Sequence, residues 1–299
     1  MMTEFTFYPS HEGFLGIEGV PLPSPKNTKA LIIPFGLEAS VSYGSGTADG
    51  PDAIIKASHQ VELFDEEFWC EPVNSYGVET LKPIDIPKDL DKALNTLDNY
   101  VEYSLQNGYF PLILGGEHSL TAGAIRPFAK DYSELIVLHF DAHADLRDGY
   151  EGFHYSHASA MRRVLDHKNI SVISVGIRSI SSGEIPYVEN HKDKISIFWA
   201  KDKETWHTDH FIEKLSGKNF YISFDVDVFD SAIMPATGTP EPGGLQFYEA
   251  LKLLRLACEK GTCVGADIVE LSPIPNFHAC DFLTAKLAYK ILNYAIYKS

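Results

Sequence analysis

Short unbroken apolar runs alternate along this chain with longer stretches in which apolar residues recur every three or four positions. The runs cover 29–35, 110–114, 135–140, 171–176, 195–199, 220–224 and 262–268. Runs this short, with no polar alternation, suit strands buried on both faces, as in a parallel sheet. Between them, residues 90–105 place Leu90, Ala93, Leu94, Leu97, Tyr100, Val101 and Leu105 on one helical face. Further helices are expected from Pro51, a residue suited to a first helical turn, and from Ser119, expected to be an N-cap. Others are expected over 156–166 and 246–259, with an amphipathic closing helix over 281–297. Alternation of strand and helix predicts an α/β fold with a mostly parallel sheet and helices on both faces. No repeat, low-complexity tract or linker interrupts it, so a single domain over 1–299 is expected. Residues 1–28 are expected to wrap its surface. The glycine-rich stretch 41–50 lacks the Gly-Lys-Ser/Thr ending of a phosphate loop and reads as a turn.

Three of the runs end in residues that bind metals. The central one, Leu-Ile-Val-Leu-His-Phe-Asp-Ala-His-Ala-Asp (135–145), delivers Asp141, His143 and Asp145 at alternate positions. The stretch 219–230 delivers Asp225 and Asp227 in the same way, and 109–119 runs through a glycine turn to His118. Open α/β sheets place their ligands at the carboxyl ends of strands. A solvated acidic loop would account for one such stretch, but several carboxylates gathered in one place are costly to bury without a cation. A site rich in carboxylate with two imidazoles favours hard or borderline divalent ions such as Mn²⁺. Bridging carboxylates would allow two ions roughly 3.5–4 Å apart. His139 lies inside the central run and is expected to point away from the ligand set. His59, His167, His191, His207 and His210 belong to no motif and are expected to be structural or superficial.

Composition narrows the classes. A hydrophobic content of 44% and a charged content of 22% fit a globular chain with a sizeable core. A net charge of −16 argues against nucleic-acid binding, which needs a basic footprint. Four cysteines without a CxxC pair are expected to be reduced thiols, which suits the cytoplasm. No signal peptide or apolar span long enough for a membrane is visible, and no membrane partner is expected.

Gly-Gly-Glu-His-Ser at 115–119, Asp-Ala-His-Ala-Asp at 141–145 and Ser-Phe-Asp-Val-Asp-Val-Phe-Asp at 223–230 occur in the order of the ligand motifs of the arginase/agmatinase (ureohydrolase) family. The chain resembles that family from about Gly36 to the last helix. The resemblance implies a three-layer α/β/α sandwich with about eight strands and two Mn²⁺ ions. It assigns one ion to His118, Asp141, Asp145 and Asp225, and the other to His143, Asp141, Asp225 and Asp227, with Asp141 and Asp225 bridging. The family's reaction is attack of an ionised water on a guanidinium carbon. By analogy, Asp145 would accept a hydrogen bond from that water and later pass a proton to the leaving amine. Glu270, in Ile-Val-Glu-Leu-Ser-Pro, matches the family's guanidinium-binding glutamate, where a carboxylate can meet the planar cation as a fork. His157, in Tyr-Ser-His-Ala-Ser, aligns with the proton-shuttling histidine; His154 is a rival. Family members are commonly trimers or hexamers, which implies a homo-oligomer here.

Two departures bear on the substrate. The stretch 235–245, dense in proline and glycine, reads as a rigid site wall and is more like agmatinases than arginases. Where arginases carry an asparagine that helps to hold the α-amino-acid end of arginine, this chain has Arg147. A small cationic guanidino compound without a carboxylate is therefore expected: agmatine, giving putrescine and urea for polyamine biosynthesis. The loop 146–155 is expected to read its far end, with Asp148 or Glu151 meeting a distal ammonium. The alternatives within the family are guanidinobutyrate, guanidinopropionate, aminopropylagmatine, arginine and formimidoylglutamate. Arg147 keeps a carboxylate-bearing substrate open. Metal-dependent deacetylases of related fold use one Zn²⁺ and a tyrosine, and the full two-metal set counts against them. It also counts against a non-catalytic binding relative, since such proteins usually lose ligands.

Overall fold

A computed structural model describes residues 5–17, 29–40, 43–206 and 208–297. Its strands are β1 (Ala30–Phe35), β2 (Val78–Thr80), β3 (Phe110–Gly115), β4 (Leu135–Phe140), β5 (Ile170–Ile177), β6 (Ile195–Trp199), β7 (Asn219–Asp225) and β8 (Thr262–Val269). Its helices are α1 (Gly50–Ser58), α2 (Val73–Tyr76), α3 (Leu90–Gln106), α4 (Thr121–Asp131), α5 (Ala160–Val164), α6 (Ile185–Asn190), α7 (Thr208–Leu215), α8 (Phe247–Lys260) and α9 (Ala279–Ile296). The strands form one sheet in the order β2-β1-β3-β8-β7-β4-β5-β6, and every neighbouring pair is parallel.

Alternate residues of each strand feed two separate cores, because successive side chains leave a strand on opposite faces. Ile136, Leu138, Ile222 and Phe224 pack with α1, α7, α8 and α9. Leu135, Val137, Tyr221 and Val269 pack with α3, α4 and α5 on the other side. The result is three layers with the sheet in the middle, as the resemblance implied. The runs are apolar without alternation because both faces of the sheet are covered.

Several expectations need correction. Ser119 is not an N-cap: a 3₁₀ turn begins at His118, α4 starts two residues after Ser119, and the Ser119 hydroxyl donates to Glu117. The closing helix is not amphipathic; α9 is buried almost all round, including Lys290 and Asn293. The N-terminal segment does more than wrap the surface, since Phe14, Leu15 and Ile17 are buried in the core. Residues 18–28 and His207 lie outside the described residues. The four cysteines form no disulfide. No helix among the described residues is long and apolar enough to cross a membrane.

Candidate metal centre and active site

The four central strands, β3, β8, β7 and β4, end side by side, and the polar residues that follow them share one edge of the sheet. The turn after β3 is tight. A side chain at Gly116 would run into the Leu37 carbonyl, so glycine lets this turn dock and sets His118 beside β8. The His118 N–H donates to Glu270 Oε1 at 2.6 Å, and Glu270 N–H donates to the Gly116 carbonyl at 2.8 Å.

Around His118 three carboxylates converge. Its Nδ1 lies 3.1 Å from Oδ2 of Asp141, 3.1 Å from Oδ2 of Asp145 and 3.4 Å from Oδ2 of Asp225. A second group forms at His143, whose Nδ1 is 2.9 Å from Asp227 Oδ2 and 3.5 Å from Asp141 Oδ1. Asp141 belongs to both groups. Donor atoms around one octahedral ion, each about 2.1 Å from it, lie about 3 Å apart, and these spacings match. His118 Nδ1 is buried and faces these carboxylate oxygens without a well-formed hydrogen bond to any of them, the condition of a ligand nitrogen aimed at a cation. The residues present therefore fit divalent metal ions.

Charge supports the same reading. Burial alone would lower the pKa of both imidazoles, but the carboxylates outweigh it: His118 is raised well above its usual value and His143 to about 12. Burial and the charges of Asp227 and Asp141 push Asp225 well up; burial and Asp141 also raise Asp227. Asp141 goes the other way despite its burial, held well below the usual range by His139, His118 and His143. Protons on the imidazoles thus do the work a cation would do, and metal binding would displace them.

His139 does not point away from this set. It is two residues from Asp141 on the same strand, so pleating puts both on one face. Its Nε2 donates to Asp141 Oδ2 at 2.8 Å, and its Nδ1 lies 3.0 Å from Ser174 Oγ. Strand register places Ser174, His139, Ser223 and Asp267 in one row across β5, β4, β7 and β8. This row underlies the cluster. His118 Nε2 meets Ser223 Oγ at 2.9 Å, and the Ser223 hydroxyl donates to Asp267 Oδ1 at 2.9 Å. Thr121 and Tyr221 hydroxyls fill the other oxygen of Asp267. Such partners orient a ligand histidine and fix which nitrogen faces the ion. Sequence reasoning missed this row, although Asp267, a lone carboxylate inside an apolar run, was a signal.

The cluster opens into a cavity of about 260 Å³, lined also by Glu270, His157, Arg147, Tyr150, Glu184 and residues 237–239. The stretch 235–245 therefore contributes part of the wall. Glu270 is half-buried, and burial together with the Glu117 charge raises its pKa to about 8. His157 lines the cavity with Nδ1 3.2 Å from Ser40 Oγ. His154 is exposed, does not line it, and lies against Arg163. Asp148 does not line the cavity either; Arg163 and Arg162 hold it at 2.7 and 3.6 Å. Glu151 is exposed and outside the lining. Arg147 is inside, its guanidinium 4.7 Å from the centre of the Tyr150 ring. Glu184, which sequence reasoning passed over, is buried and accepts from Leu146 N–H, Ser181 N–H and the Ser181 hydroxyl.

Comparison with known proteins agrees with this architecture. The arginase family model matches residues 28–296. The chain is 33% identical over 287 residues to an N(1)-aminopropylagmatine ureohydrolase of Synechocystis sp., across 93% of this chain and 92% of that protein. It is 34% identical over 262 residues to an agmatinase of Bacillus anthracis, across 84% and 86%. Its fold is similar to the agmatine ureohydrolase of Thermoplasma volcanium, with a TM-score of 0.82, 29% identity and 93% of each chain covered. It is similar also to the proclavaminate amidino hydrolase from Streptomyces clavuligerus, with a TM-score of 0.85, 27% identity and 96% and 99% covered. By the extent of the family match and the near-complete overlap with these relatives, the chain belongs to the arginase family of ureohydrolases and is an enzyme.

Proposed function

We propose that this enzyme hydrolyses the guanidinium of a linear guanidinoalkylamine without a carboxylate, either agmatine or its N(1)-aminopropyl derivative. The products would be urea and an amine, putrescine in the case of agmatine. The observation that carries the reading is that the carboxylate–imidazole cluster and Glu270 open into one cavity. One Mn²⁺ would be held by His118, Asp141, Asp145 and Asp225, and a second by His143, Asp141, Asp225 and Asp227. Such a pair supplies the positive charge that lets a water ionise near neutral pH. Glu270 would accept two N–H groups of the guanidinium and hold its carbon toward that water. Asp145 would accept the water's proton and return it to the leaving amine nitrogen. His157 would exchange protons between the cavity and solvent.

The substrate tail rests on two supports. Position 147 carries no neutral amide for an α-amino acid, and the relatives at 33 and 34% identity are named for N(1)-aminopropylagmatine and agmatine. A second reading, a guanidino acid such as guanidinobutyrate, is favoured by Arg147 on the cavity wall. Urea release from the Mn²⁺-loaded enzyme separates them, with agmatine, N(1)-aminopropylagmatine, guanidinobutyrate and arginine offered in parallel. Turnover of the two amines is expected. Preference for guanidinobutyrate would reassign Arg147 as a carboxylate anchor, and urea from none of the four would overturn the proposal.

A further inference from the structure

Glu117 is fully buried beside the cluster and takes no part in the reaction proposed above. Four donors converge on its carboxylate: the N–H groups of Ala39 and Ser40, and the hydroxyls of Ser40 and Ser119. A carboxylate so surrounded acts only as an acceptor. The Ser40 hydroxyl hydrogen therefore points to Glu117 Oε1, 2.8 Å away. The lone pairs of Ser40 Oγ remain, and two atoms of one residue approach them. They are the main-chain N–H of His157 at 3.0 Å and its ring Nδ1 at 3.2 Å. With the hydroxyl hydrogen committed elsewhere, the contact at Nδ1 is attractive only if Nδ1 carries a proton. Ser156 Oγ, 3.4 Å from the same nitrogen, is the more distant of the two hydroxyls.

We propose that Glu117 and Ser40 are positioning residues that fix the neutral ring of His157 in the tautomer protonated at Nδ1, so that Nε2 is the atom that takes up and gives back protons. The relay joins three segments that meet only in the folded chain: the loop after β1, the turn after β3 and the 3₁₀ turn at 157–159. It resembles in logic the carboxylate that holds a catalytic histidine in one tautomer, with a hydroxyl interposed. The kinetic part of this inference rests on the proposed function; the tautomer does not.

Nitrogen NMR of ¹⁵N-histidine-labelled protein tests it directly. The protein is loaded with diamagnetic Zn²⁺ and held above the titration range of imidazole. The His157 resonances are assigned by their loss in His157→Asn. The wild type should show the pattern of a ring protonated at Nδ1. Ser40→Ala should move it toward protonation at Nε2, and Ser40→Thr, which keeps the hydroxyl, should restore the first pattern. In the Mn²⁺-loaded enzyme, kcat of Ser40→Ala should fall about tenfold, with KM and bound metal unchanged, and recover in Ser40→Thr. A wild-type ring protonated at Nε2, or a Ser40→Ala ring still protonated at Nδ1, would overturn the inference. So would a kcat loss accompanied by loss of metal. Urea from no substrate, with the tautomer as stated, would remove the functional reading and leave the positioning intact.

Discussion

Asp145 and Glu270 hold φ angles of 53° and 66°, in the left-handed region that residues with a side chain seldom enter. Each costs about 1–2 kcal/mol, and such outliers gather where a side chain must be aimed. Here both residues line the cavity. Replacing Glu270 with Gln should keep the hydrogen bond from the His118 N–H while removing the charge that meets a guanidinium. A loss of about 2–3 kcal/mol in a charge-assisted pair corresponds to a roughly 30- to 150-fold fall in kcat/KM, with Tm held or raised. Steady-state urea release and a thermal melt check both halves. The gathering of Asp141, His143, Asp145, Asp225 and Asp227 at strand ends was legible because pleating and strand ends tie their positions to local sequence. His139 was misjudged by the same rule misapplied, since its spacing from Asp141 puts it on the same face. Ser40, Glu117 and Glu184 were silent because their meaning lies in partners far along the chain. The pairing of Asp148 with Arg163, which keeps it outside the cavity lining, was not legible because nothing local announces it.

Among the elements, the long helices and the longer strands could be read from period and apolar runs, while the short or exposed ones could not. β2 has three residues, too few to display a pattern, and α6 buries none of its residues. α9 differs in a way that changes its energetics. Lys290, with a side chain 2% exposed, lies 2.9 Å from Asp65 Oδ1 and 3.1 Å from both Glu66 and Glu67. Asn293 donates to the other oxygen of Asp65, and Tyr294 donates to Glu67. An amphipathic helix was expected here, yet these polar residues tie α9 to the segment after α1. Removing one member leaves Asp65 buried and uncompensated. Lys290→Met should lower unfolding stability by about 3 kcal/mol, and adding Asp65→Asn should restore most of it. Urea denaturation of the single and double variants measures this, and equal midpoints for Lys290→Met and wild type would refute it.

For the molecule as a whole, the cluster links metal, protons and stability. Without a cation, His143 titrates near 12 against 6.5 for the free group, and Glu270 near 8 against 4.5. Between pH 6.5 and 8 the native chain therefore holds protons that the unfolded chain has released. Stability conferred by these groups is present at lower pH and lost as pH rises, so the metal-free Tm should fall across this window. A divalent metal ion such as Mn²⁺ would displace the proton on His143, and its apparent affinity should rise across the same window. At a hundredfold excess over Kd it should add about 2.7 kcal/mol. Thermal melts at several pH values, with Mn²⁺ and with chelator, check both slopes. The layered α/β class was legible in the sequence; the strand order was not, because period carries no information about which strand lies beside which. That order has a consequence for synthesis. β1 to β3 and β4 to β6 emerge first, yet β3 and β4 do not pair, and the gap between them is filled only by β7 and β8. Half-sheets formed on a growing chain would thus keep bare inner edges until β7 and β8 arrive as a wedge. Those edges are open to pairing with other chains for that interval, and no nascent fragment ending before β7 has both walls of its metal site.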